Sequence, residues 1–208
     1  MKSRIIILFM LLVILSGCSS GNERKVFSLL NDQIVKQNEC SKNNQAITDL
    51  ISEETTIYNN IIEKGIESGS EVQGLIEEGW TNVNNSQSYL ADYQTCILDT
   101  QINQEKLKKV NDNIVDEHVQ HETEKLIQEY MDYEQSLISY VEALISLNNR
   151  QKLFYEEIKT NLNTSTLDEL VRQINLAIEE ASTLSFLHQE ALDLFNQTYN
   201  EYYEAYIK

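Results

Sequence analysis

Proline is absent from all 208 residues of this chain. Proline removes a backbone donor and clashes with the preceding helical turn, so it ends helices and marks bends. A chain of this length without it has few built-in interruptions. Glycine, the other common punctuation, occurs only six times. Glu, Gln, Leu and Ile are abundant, and alternating runs of β-branched and aromatic residues are missing, so long helices are the expected structure.

Four helical segments can be read. The first spans about Glu23 to Lys64 and carries Val26, Leu30, Ile34, Ile47, Leu50, Ile51, Ile57, Tyr58 and Ile61 on its apolar side. Its middle, Gln37 to Gln45, is polar and weakens the stripe. The stretch Gly65 to Ser70 reads as a turn, with Gly65 as helix C-cap and Ser70 as the next N-cap. A second helix, Glu71 to about Lys109, has Gly79 and Ser86 in its stripe, where a neighbouring backbone can approach. A break is expected near Asn111-Asp112-Asn113. The third helix, about Ile114 to Asn161, holds the clearest heptad-like stripe, from Leu126 through Tyr130, Leu137 and Leu144 to Phe154 and Ile158. Thr166 and Glu169 have capping-box spacing at the start of a fourth helix. Helices of this length are roughly 60 Å long. Short turns make neighbours antiparallel, so the predicted fold is all-α, an elongated up-down bundle of three or four long helices.

The N-terminus carries a separate message. Lys2 and Arg4 precede eleven apolar residues, Ile5 to Leu15. Such a run rises roughly 16 Å as helix, about half of a ~30 Å hydrocarbon core. A basic start, a short apolar run and small residues describe an export signal. Leu15-Ser16-Gly17-Cys18 resembles a lipobox, which implies a diacylglycerol thioether on Cys18 and cleavage between Gly17 and Cys18. Acyl chains contribute about 0.8 kcal/mol per buried CH₂, so two or three of them make a lasting membrane anchor. The expected organisation is residues 1–17 as signal peptide, 18–22 as lipidated cysteine and tether, and 23–208 as the bundle, lying on the extracytoplasmic face of the cell membrane.

Loss of Lys2 and Arg4 takes the formal charge from −17 to −19. That surface repels polyanions, which argues against nucleic acid as a partner. No serine has a nucleophile motif around it and no glycine-rich phosphate loop follows a strand, so a non-enzymatic protein without a cofactor is expected. His118, His121 and Glu122 would share one helix face, as a metal site requires, but no second cluster completes the ligand set; a solvated polar face is the plainer reading. His188 falls on the apolar stripe of the fourth helix, as a core or boundary residue would. Tyr199, Tyr202, Tyr203 and Tyr206 follow helical spacing and form one aromatic face. That face either contacts a sugar or a partner protein, or fills the end of the bundle.

Cys40 and Cys96 are the remaining cysteines, and their midpoint is Ser68, inside the predicted turn. In an antiparallel hairpin, residues equidistant from the turn stand side by side. A disulfide between them is therefore expected outside the cytoplasm.

The chain also resembles the putative cell-wall-binding lipoprotein family of Gram-positive bacteria. The resemblance rests on the lipobox Leu15 to Cys18, a leading amphipathic helix, and the stretch Ile57-Tyr58-Asn59-Asn60-Ile61-Ile62-Glu63-Lys64-Gly65 before the first turn. It implies an extracytoplasmic helical protein that binds the wall or spaces it from the membrane, with peptidoglycan as partner, and it supplies no catalytic residue. The alternative is a surface lipoprotein that binds another protein, as an adhesin, an immunity factor or an accessory subunit of a membrane complex.

Overall fold

The computed structural model describes residues 21–65, 70–160 and 164–208. The leader, Cys18, and residues 66–69 of the predicted turn, Ser68 among them, lie outside the described residues. Among those described the chain is all helix: α1 Asn22–Cys40, a 3-10 turn Ser41–Asn43, α2 Asn44–Lys64, α3 Ser70–Asp99, α4 Gln104–Asn111, α5 Glu117–Thr160, α6 Thr164–Tyr202, and a wider π turn Tyr203–Ile207. α1 and α2 together make one rod, α3 and α4 the second, and α5 and α6 the third and fourth. They run up, down, up and down. Gly21 and Lys208 therefore share one end of the bundle, where Phe27 of α1 stacks on Tyr199 of α6 at 4.6 Å between ring centroids. α5 has 44 residues, a length of roughly 66 Å.

The rods part company with the sequence reading at three places. The first is the 3-10 turn at Ser41–Asn43, where a run of Ser and Asn holds helix poorly. The second is a break after Asp99 that the sequence reading ran through. Thr100 turns its hydroxyl back onto the Cys96 carbonyl at 2.8 Å. Asn103 then caps a new helix by accepting from the Lys106 amide at 2.9 Å, so α4 is separate from α3. The third is the start of the fourth helix. α6 begins at Thr164, which puts Thr166 inside its first turn instead of at the N-cap. Glu169 accepts from the guanidinium of Arg172 at 2.6 Å and from the Gln173 amide at 2.7 Å, as part of a surface cluster. The break near Asn111–Asn113 is present. α5 starts at Glu117, three residues beyond Ile114, because Asp116 Oδ1 accepts from the amides of His118 and Val119 at 2.9 and 3.2 Å and caps it. Gly65 ends α2 with φ 80°, a left-handed conformation that side-chain-bearing residues resist.

The core falls into successive clusters that change character along the axis. Near the termini it is aromatic: Tyr130, Phe195, Tyr199 and Tyr202 pack with Val26, Leu30 and Leu107. Toward the far end it is mainly aliphatic, with Ile57, Ile61, Val72, Ile76 and Ile174 around Tyr58, Phe154 and Tyr155. Between the two, Cys40 and Cys96 join the end of α1 to α3 through a disulfide, with Cα atoms 5.6 Å apart. Gly79 does face a close approach. The neighbour is the Tyr155 ring, not a backbone, and a Cβ at Gly79 would collide with it.

Candidate functional site

The end of the bundle that carries Gly21 and Lys208 brings together the start of α1, the α4–α5 loop and the end of the chain's last turn. α1 starts at Asn22, whose side chain donates to the Asn113 carbonyl at 2.6 Å and so ties the first helix to the α4–α5 loop. That loop closes on itself. The amides of Asp112, Asn113 and Ile114 donate to carbonyls of Lys108, Val110 and Asn111, and the Asn113 side chain caps Lys109 O at 2.6 Å. Ile114 turns inward and Val115 turns outward, at 97% exposure. A cleft of about 500 Å³ lies between Gly21, the loop and Tyr206.

The histidine candidates His118 and His121 fall at this end of the bundle. His118 Nε2 lies 3.3 Å from the Tyr206 hydroxyl, and the two rings meet edge to face. His121 is exposed. Among the described residues no three His, Cys, Asp or Glu side chains gather to hold a metal ion. His118, His121 and Glu122 thus form a polar helix face, because α5 turns its Thr123 and Leu126 side inward. His188 is half-buried, stacked between Tyr133 and Tyr140 at 5.5 and 6.1 Å, with Nδ1 3.1 Å from the Ser136 hydroxyl. Burial pushes its pKa down to about 4, so the ring is neutral between its two tyrosines.

The aromatic face resolves into core. Tyr199 and Tyr202 are 7% and 3% exposed and stack with Phe27. Tyr202 shares a hydrogen bond with Thr123 at 2.6 Å. Tyr203 and Tyr206 are half-buried on the rim. Phe27 of α1 lies across Tyr199, Tyr202 and Tyr203, while Tyr206 packs against Tyr202 and His118 at the rim.

Sequence reasoning missed two buried glutamates. Glu134 of α5 accepts from Gln37 Nε2 at 3.0 Å, the Tyr130 hydroxyl at 3.3 Å and the Ile102 amide at 3.3 Å. Glu54 of α2 accepts from the Tyr155 hydroxyl at 2.9 Å. Burial raises both carboxyls above their usual range, Glu54 to about 8. Both face the core and not the cleft. The signal was available: Glu54 falls in step with Ile47, Ile51, Tyr58 and Ile61, and Glu134 stands between Tyr130 and Leu137 on the α5 stripe.

No helix of the described residues is long and apolar enough to cross a membrane. The outer face of α6 exposes Phe186, Leu187 and Leu194 at 62%, 47% and 47%. Neither the curated proteins nor the solved structures contain a match. A family profile described as YkyA, a putative cell-wall binding lipoprotein, matches residues 21–205. That span takes in all six helices, so the chain belongs to this lipoprotein family.

Proposed function

We propose that this protein is a lipid-anchored, extracytoplasmic and non-enzymatic lipoprotein that binds the cell wall or holds it at a distance from the membrane. The observation that carries the reading is the placement of Gly21. Three residues after the lipobox cysteine, the chain enters one end of a bundle roughly 66 Å long. An anchor at Cys18 would hold that end at the membrane and the Gly65–Ser70 end far from it, toward the wall. Membership in a family described as cell-wall-binding lipoproteins supports the same reading. The non-enzymatic part rests on the sequence, in which no serine has a nucleophile motif and no glycine-rich phosphate loop follows a strand.

Cosedimentation with purified peptidoglycan sacculi tests the wall contact. The lipoprotein should pellet with sacculi and stay in solution without them. Recovery wholly in the supernatant would leave the second reading, a lipoprotein that binds another surface protein. The apolar strip Phe186, Leu187 and Leu194 favours that alternative, since such patches mark protein contacts. Cys18→Ala tests the anchor: the variant should accumulate as precursor and take up no labelled fatty acid. Labelling of the variant would exclude Cys18 as the lipid site.

A further inference from the structure

We propose that the terminus-bearing end of the bundle is a membrane seat, in which Val115 at the tip of the α4–α5 loop enters the lipid interface of the bilayer. The inference rests on the lipid-anchored reading and adds a surface to it. Three observations converge.

The first is the length of the tether. Cys18 and Gly21 are three residues apart, so fully extended chain spans at most about 11 Å between them. The bundle begins at once after Gly21, because Asn22 is already bound to Asn113 of the loop. An anchor that short leaves the loop no room to stand clear of the headgroups.

The second is Val115 itself. A valine exposed to 97% at a tip, between the inward Ile114 and the capping Asp116, makes no contribution to the core. The loop around it is held by its own hydrogen bonds, so it presents the side chain at little entropic cost. Beside it lies Tyr206, half-buried, which lines the same cleft. A tyrosine with a polar tip and an apolar body suits the water–lipid boundary.

The third is the charge. Lys106, Lys108 and Lys109 stand exposed on α4, which ends in the loop, within reach of lipid phosphates. Asp112, Asp116, Glu117 and Glu204 lie at the same end and more than offset them. The seat is therefore held by the anchor and by apolar insertion, with no dependence on a polybasic patch, and high salt should not lift it.

The native protein has a single tryptophan, Trp80, in the far half of the bundle. This permits a clean test on the full lipidated protein in phosphatidylcholine vesicles whose chains are brominated near the headgroup. In a Trp80→Phe background, Val115→Trp should emit at shorter wavelength than in detergent-free buffer, and the brominated chains should quench it. Trp80 of the native protein should be quenched no more than in vesicles without bromine. Val115 makes no packing contact that the variant would lose, and circular dichroism confirms that the helices persist. If the variant floats with the vesicles but its emission stays unshifted and unquenched, the seat is wrong while the anchor stands. If neither protein floats, the anchor reading fails and the seat with it.

Discussion

The two buried glutamates sit in the two halves of one bundle, and the bundle treats them differently. Near the termini, Glu134 meets three donors: an amide side chain from α1, a phenol from its own helix, and the Ile102 amide from the gap between α3 and α4. In the far half, Glu54 meets one, Tyr155, and its second oxygen has no protein partner. The difference follows from the backbone. An unbroken helix spends its amides internally. The half around Glu134 has a broken second rod, and that break releases a backbone N–H to the carboxylate. α2 and α3 are unbroken beside Glu54, so only side chains are on offer. A buried carboxyl in a helical bundle thus gains donors where a helix is interrupted, and otherwise stays protonated.

The disulfide stands beside the Glu134 layer and gives the largest effect. It closes a loop of 56 residues, and chain entropy assigns such a loop about 4 kcal/mol. Reduction, or Cys96→Ser, should lower the melting temperature by on the order of 10 °C. The loss should fall unevenly. Amide exchange should accelerate first in α1, which the bridge ties to α3, and last in α5. Uniform acceleration along both halves would erase the distinction between them.

Gly79→Ala probes the far half next. The new methyl would drive into the Tyr155 ring, which is fully buried, so the ring must shift within a packed core. Overpacking of this kind costs about 1–3 kcal/mol. It also displaces the only donor to Glu54. An unchanged denaturation midpoint would mean that the far half is looser than its packing implies. Tyr155→Phe removes the donor without the clash, and should destabilise by roughly 1 kcal/mol near neutral pH. Gln37→Leu, its counterpart, leaves Glu134 two donors of three and should cost no more than that.

Much of this was open to a reading of the sequence. The four rods followed from the missing proline and the stripes, and Cys40 and Cys96 stand close because both lie about 28 residues from the turn. The break at Thr100 was hidden because no glycine or proline marks it. Its causes are a threonine bonding back to the Cys96 carbonyl and an acceptor on a distant helix, and only the second rod packed against α5 reveals the latter. The tyrosine face was visible but its use was not. Spacing places four rings on one side of a helix, and says nothing about Phe27, 172 residues earlier, lying across Tyr199. Glutamates on an apolar stripe were legible in position, yet the habit of assigning every carboxylate to the solvent concealed them. Val115 could not be singled out among the valines until the loop turned Ile114 inward and left it exposed.

The pH dependence separates the two layers most sharply. In the folded protein the Glu54 carboxyl titrates near 8, raised chiefly by burial, while in the unfolded chain it titrates near 4.5. The folded state therefore holds a proton that the unfolded state releases across that window. Stability from this group is complete below about pH 4.5, declines as pH rises, and is lost once pH passes about 8. Glu54→Gln keeps the shape of the protonated carboxyl and cannot ionise. At about pH 4 the variant should match the wild-type protein within roughly 0.5 kcal/mol, the ordinary scatter of a mild substitution. As pH is raised the wild-type protein should fall below it, and the gap should stop growing above about pH 8. Glu134 is also raised by burial, but three donors favour its ionised form, so Glu134→Gln should open a smaller gap over a narrower range. Urea midpoints of the three proteins at several pH values decide the matter. Parallel curves for wild type and Glu54→Gln would show that Glu54 ionises without cost, and that the two layers differ in geometry alone.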